Sequence, residues 1–167
     1  METSAVSSPK KRPDFLTVIC ILTFIGSGFG IINNVTNYLN ADVLTEIGKQ
    51  AIDQTREKVD SESSGEGKKL ADQMMSGASA MMDKKKLKQN YLLTVLSNIM
   101  TLAGALLMFR LRKAGYWLYV AGIVVLVATP LVIFGTGNLL SMSITMLFAV
   151  IGILFIILYS LQLKHLH

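Results

Sequence analysis

Charged residues are unevenly spread along the chain. Four stretches carry no Asp, Glu, Lys or Arg and are built largely from apolar residues: Phe15–Ile32 (18 residues), Tyr91–Phe109 (19), Gly115–Phe134 (20) and Ser143–Leu161 (19). At ~1.5 Å per residue, helices of these lengths cover about 27–30 Å, the thickness of a hydrocarbon core. A helix satisfies its own backbone hydrogen bonds in lipid, whereas an open strand cannot. One such stretch could be a core helix of a soluble domain. Four of them, 76 residues together, predict an all-α fold, a four-helix transmembrane bundle.

Between the first two spans lie 58 residues, Asn33–Asn90, with a different pattern. They are too many for a plain connection. Asn40 can cap a helix whose apolar positions Leu44, Ile47 and Ala51 recur at spacings of three and four. The run Ser61-Glu-Ser-Ser-Gly-Glu-Gly67 breaks it. A second amphipathic stretch then sets Leu70, Met74, Ala78 and Met81 or Met82 on one face. The segment therefore reads as a helical hairpin, with Lys84–Lys88 leading straight into the second span as a continuation of its second helix.

Composition sharpens this picture. Of 167 residues, 51% are hydrophobic and 16% charged, against about 25% charged in an average soluble domain. Lys and Arg near the span ends set the orientation. With the N-terminus inside, the cytoplasmic flanks hold seven (Lys10, Lys11, Arg12, Arg110, Arg112, Lys113, Lys164) and the opposite side four (Lys84, Lys85, Lys86, Lys88). Tyr116, Trp117 and Tyr119 follow the basic turn as an interfacial aromatic belt would. The resulting map is a cytoplasmic basic tail (1–14), spans at 15–32, 91–109, 115–134 and 143–161, and an extracytoplasmic helical segment (33–90). A cytoplasmic turn (110–114), a short outer loop (135–142) and a cytoplasmic tail (162–167) complete it. Lys10-Lys-Arg12 followed by an apolar run and Gly26-Ser-Gly28 has the outline of a signal peptide. The run continues through Phe29, Ile31 and Ile32, however, and is long enough to be retained as a span.

The chemistry inventory is thin. The two histidines, His165 and His167, follow the last span, and no carboxylate lies within any span. Catalysis needs a placed acid, base, nucleophile or metal, so the expectation is no enzyme, no cofactor and no metal. Met74, Met75, Met81 and Met82 are thioethers of the kind that bind Cu(I). Without His or Cys in that segment they read as an adaptable packing face. Gly26-Ser-Gly-Phe-Gly30 lies inside a span with the wrong spacing for a dinucleotide fingerprint. The basic balance comes from membrane flanks and implies no nucleic acid. Lys84, Lys85, Lys86 and Lys88 form a headgroup-facing end that could contact anionic lipid.

Small residues recur at helical spacing: Gly26 and Gly30 in the first span, Ser97, Thr101 and Ala105 in the second, Ser141, Thr145 and Ala149 in the fourth. Such stripes let helices approach closely where lipid offers no hydrophobic drive. Asn98, the most polar group deep in a span, is expected to face another helix and hydrogen-bond there. Pro130 should bend the third span, and Gly135-Thr-Gly137 should end it.

The run Pro13-Asp-Phe-Leu-Thr-Val-Ile-Cys-Ile-Leu-Thr-Phe-Ile-Gly-Ser-Gly28, with Leu111-Arg-Lys-Ala-Gly-Tyr-Trp-Leu-Tyr119, resembles the small uncharacterised four-span inner-membrane proteins common in Bacteroidota. The resemblance covers the spans and hardly touches the 33–90 segment. It implies a bacterial inner membrane and carries no functional residue. The functional expectation is an integral membrane protein acting through interaction, as an accessory subunit of the cell envelope. Its partners would be the lipid bilayer and either another protein or further copies of itself. Small-solute permeation along Asn98, Thr101 and Thr145 is the alternative, and a membrane enzyme with its site in the 33–90 segment a third.

Overall fold

A computed structural model describes residues 13–62 and 65–165. The basic cluster Lys10-Lys-Arg12, the middle of the expected break (Ser63, Ser64) and His167 lie outside the described residues. Within them the chain is all-helical: α1 (Asp14–Leu39), α2 (Ala41–Glu62), α3 (Glu66–Met81), α4 (Lys84–Phe109), α5 (Ala114–Phe134) and α6 (Leu139–Ser160), followed by a 3₁₀ turn at Leu163–His165. Four of these, α1, α4, α5 and α6, are long and apolar enough to cross a membrane. Their outward side chains are apolar: Phe29 is 72% exposed, Ile32 69% and Val132 81%. Side chains of this kind need lipid around them, and the chain is a multi-pass membrane protein.

The helices do not stop where the charge-free stretches stop. α1 runs seven residues past Ile32, and α4 begins seven residues before Tyr91. Each has 26 residues, about 39 Å at 1.5 Å per residue, some two turns longer than a ~30 Å hydrocarbon core. The two run antiparallel, with Cys20 beside Ala105, Ser27 beside Thr101 and Gly30 beside Asn98. The surplus turns also meet: the Lys88 ammonium of α4 lies 5.7 Å from the centre of the Tyr38 ring of α1, and Asp42, in the first turn of α2, bridges Lys84 (2.7 Å) and Lys88 (3.4 Å).

Asn40 caps a helix, but as the C-cap of α1, with α2 starting at the next residue. The break at Gly65 is present: its φ of 80° suits glycine, and α3 starts directly after it. α3 and α4 are separate helices, contrary to the expected continuity. Met82 closes α3, and Asp83 caps α4 by accepting a hydrogen bond from the Lys86 N–H at 3.0 Å. The buried face of α3 is also turned from the expected one. Met75 and Gly77 are buried, while Leu70 and Met74 remain about half exposed.

α4 is the centre of the bundle, packed against α1 on one side and α5 on the other, with α6 against α5. The turn between α4 and α5 closes by hydrogen bonds from the Leu111 N–H to the Met108 carbonyl (2.8 Å) and from the Arg112 N–H to the Leu107 carbonyl (2.9 Å). Leu111 takes the left-handed conformation (φ 61°) that this ending requires. Its side chain packs on the core, which offsets a backbone cost of about 1–2 kcal/mol. That core holds Leu16, Ile19, Cys20, Met108, Tyr119, Ile123 and Tyr159, and it sits at the end of the bundle opposite the α2–α3 hairpin. Gly135 (φ 78°) ends α5, as expected, and Pro130 lies within that helix.

Candidate functional site

α1 and α6 meet only near the core end. There the Thr23 and Tyr159 hydroxyls share a 2.8 Å hydrogen bond, and both side chains are buried. Toward the hairpin the two helices part, leaving a cleft of about 460 Å³ between them. Its rims are Gly26, Phe29 and Gly30 of α1 and Ile144 and Phe148 of α6. Its floor is Asn90, Tyr91, Thr94 and Asn98 of α4, with Leu126 and Pro130 of α5. Met81 of α3 reaches the hairpin end. A smaller cavity of about 160 Å³ continues toward the core, sharing Gly26, Asn98, Leu126 and Phe148 and adding Ile151, Gly152 and Phe155.

The polarity of the cleft is graded. At the hairpin end it is lined by amides and hydroxyls: Asn33, Asn34 and Asn37 from the last turns of α1, Asn90 and Thr94 from α4, and Ser141 from α6. Among the described residues, no charged side chain lines either cavity. Several of these groups are satisfied within their own helix. Asn34 donates to the Gly30 carbonyl (2.7 Å), Thr94 to the Asn90 carbonyl (2.7 Å) and Asn98 to the Thr94 carbonyl (2.9 Å). Two are not. Among the described residues, Asn90 Oδ1 and the Ser141 hydroxyl oxygen are buried without a hydrogen-bond partner, and Ser141 is 1% exposed. A buried polar atom left unpaired costs about 1–3 kcal/mol. Both of these line the same cleft.

No family model, no curated protein and no solved structure matches the chain.

Asn98 does face another helix. The space a Cβ on Gly30 would need is filled by its amide (Oδ1 at 2.9 Å), but its N–H bond stays within α4. Thr101 joins α1 to α4, sharing a 3.0 Å hydrogen bond with Ser27. Ala105 is fully buried, its carbonyl 3.6 Å from the Cys20 sulfur. Thr145 is buried and donates back to the Ser141 carbonyl at 2.7 Å, and Ala149 is half-buried on α6. Gly26 departs from the expected packing stripe: it is exposed, and nothing lies within 4 Å of where a Cβ would project. Lys84 and Lys88 are engaged with Asp42, and Lys85 and Lys86 point outward. The four methionines occupy different surroundings. Met75 is buried, Met74 lines a surface groove, Met81 reaches the cleft and Met82 packs over Gly48. Among the described residues no three His, Cys, Asp or Glu side chains gather as a metal set.

Sequence reasoning missed three glycines and one asparagine. Gly104, Gly115 and Gly122 hold α4 against α5: a Cβ on Gly104 would stand 2.7 Å from the Tyr119 backbone nitrogen and 2.8 Å from the Gly115 carbonyl oxygen. Ser97 donates to the Gly122 carbonyl (2.7 Å) across the same seam. Asn138 fastens the hairpin to the bundle. Its amide donates to the Gly77 carbonyl of α3 (2.8 Å) while its oxygen accepts from the Ser141 N–H (3.2 Å), capping α6. The spacing of Gly104, Gly115 and Gly122 across the basic turn was a visible signal. Asn138 carried none beyond its suitability as a cap.

Proposed function

We propose that this chain is a non-enzymatic accessory subunit of a bacterial inner membrane that works by binding a protein partner through its α2–α3 hairpin. Both termini lie in the cytoplasm and the hairpin on the opposite side, as the distribution of Lys and Arg favours. The observation that carries this reading is the way the hairpin is held. It is tied to α4 through Asp42, Lys84 and Lys88 and to α6 through Asn138 and Gly77. Between its helices runs an apolar groove of about 400 Å³, lined by Ile52, Val59, Met74 and Met75, with Leu140 of α6 at its edge. A braced hairpin with a methionine-lined groove offers an adaptable apolar surface. Permeation is the weaker reading, because the polar cleft ends against the buried cluster of Cys20, Tyr119, Ile123 and Tyr159.

Photo-crosslinking in membranes tests the proposal. A photoreactive residue at Thr55, in the groove, should give a discrete protein adduct that Met74→Glu abolishes, and one at Thr136, in the loop before α6, should not. Lipid adducts alone at both positions, together with ion flux through reconstituted vesicles, would overturn it in favour of permeation. Sidedness is tested in a Cys20→Ser background. Single cysteines at Lys69 and Thr136 should react with an impermeant reagent from outside intact spheroplasts, and one at Ser7 should not. The opposite pattern inverts the topology.

A further inference from the structure

We infer that the cleft between α1 and α6 is a binding site for one lipid with an uncharged, hydrogen-bonding head. A hydroxyl of that head would donate to Asn90 Oδ1, a carbonyl or second hydroxyl would accept from the Ser141 hydroxyl, and an acyl chain would lie along Phe29, Ile144 and Phe148. This reading is independent of the hairpin's role.

Four observations converge. The volume, about 460 Å³ with a further 160 Å³ beyond it, falls in the range of ligand sites. Asn90 and Ser141, each with a buried polar atom that has no partner, both belong to the cleft's lining at the hairpin end, where α1 and α4 carry the surplus turns that would rise from the hydrocarbon. The lining runs from amides there to Phe148, Ile151 and Phe155 further in, the gradient an amphiphile has along its own length. Among the described residues the lining also holds no cation, and Lys84 and Lys88, in the first turns of α4, are already paired with Asp42. A phosphate would enter without a counter-charge, at a high desolvation cost, whereas a glycerol or sugar hydroxyl would enter with partners.

Gly26 completes the case. It lines both cavities and has open space at its Cβ position, so the missing side chain keeps the cleft continuous. It also supplies a test that leaves the packed seams alone.

The full chain is reconstituted in phosphatidylcholine vesicles containing a trace of diacylglycerol with a photoreactive acyl chain. Adducts should concentrate on Ile144 and Phe148 over the outward-facing Val132 and Met146, by about fivefold or more, a difference of roughly 1 kcal/mol in occupancy. Gly26→Leu should remove that excess while leaving the circular-dichroism melt unchanged, and Ser141→Ala should reduce it. Photoreactive phosphatidic acid in the same vesicles should label the cleft less than diacylglycerol does. Even labelling of cleft and outward positions, labelling unaltered by Gly26→Leu, or equal labelling by phosphatidic acid would each overturn the inference. An empty or water-filled cleft would appear as the first of these.

Discussion

Two seams of this bundle are lined with small residues, and only one of them is closed. Along α4 and α5, Gly104 faces Gly115 backbone to backbone, Ser97 bonds to the Gly122 carbonyl, and the Thr101 methyl packs over Gly122. Along α1 and α6 the contact is limited to the Thr23–Tyr159 end, and the helices then diverge past Gly26 to Ser141. Connectivity contributes to the difference, although the α1–α4 seam closes without a direct turn through Ser27 and Thr101. The tight ending at Leu111 and Arg112 draws α4 and α5 together, whereas α1 and α6 share no turn and are joined at the core end, by the Thr23–Tyr159 pair and by the packing of Leu16, Ile19 and Cys20 in one cluster with Tyr159. In lipid, where apolar contact between helices gains little over contact with acyl chains, that distinction bears on which stripe zips and which stays open.

The largest effect should come from forcing a side chain into the closed seam. Gly104→Val would push a branched carbon against the Tyr119 and Gly115 backbone, which cannot yield as a flexible side chain can. Such overpacking should cost about 3 kcal/mol. Gly26→Val, in the open seam, should change stability by less than about 0.5 kcal/mol. Reversible unfolding in mixed detergent micelles measures both. Equal costs would mean that the two seams are packed alike and that the cleft is filled by the chain itself.

The same contrast explains what could be read from the sequence. The four apolar helices were legible because lipid forbids charge over ~20 residues, a constraint that any window reveals. The break at Gly65 was legible because it needs a residue that tolerates positive φ. The cleft was not. Asn33, Asn34 and Asn37 fall after the last apolar residue of the first stretch, so a thickness argument assigned them to a loop, although α1 continues through them. Ser141 read as one member of a packing stripe, yet its hydroxyl lies beside the gap and only its backbone is engaged. Which stripe closes depends on turn geometry and antiparallel register, and neither leaves a local periodicity.

Asn138 is the next largest contributor, because one side chain serves two helices. Asn138→Ala removes the cap of α6 and the bond to Gly77 of α3, and should cost about 1–2 kcal/mol. Asn138→Asp keeps the capping acceptor and loses the donor. Amide exchange should separate the two roles. Both variants should raise exchange across Glu66–Met81, and only the alanine should raise it in the first turn of α6. Unchanged exchange in α3 would show that apolar packing alone seats the hairpin, and that the open seam is bridged at its far end without Asn138.

The smallest effect concerns the other tether, between the first turns of α2 and α4. The Lys84 ammonium, hydrogen-bonded to Asp42 and reinforced by Lys88, holds the Asp42 carboxyl below its ordinary value. A carboxylate whose folded value is depressed contributes stability above its unfolded value of about 3.9, and loses it as pH falls through the folded one. The tether should therefore be intact at neutral pH and weaken only below the ordinary aspartate range. Its groups are exposed, so the effect is small and screened by salt. Asp83, held low by the Lys86 N–H, titrates in the same window, so Asp42→Asn is the control that separates them. Spin labels at Glu46 and Lys85 should give a distance distribution that broadens as the wild-type chain is acidified through that window. In Asp42→Asn it should be broad at every pH. An acid-insensitive, narrow distribution in both would show that the hairpin is anchored by the Asn138 bond and apolar packing on α6, with no share for the Asp42 tether.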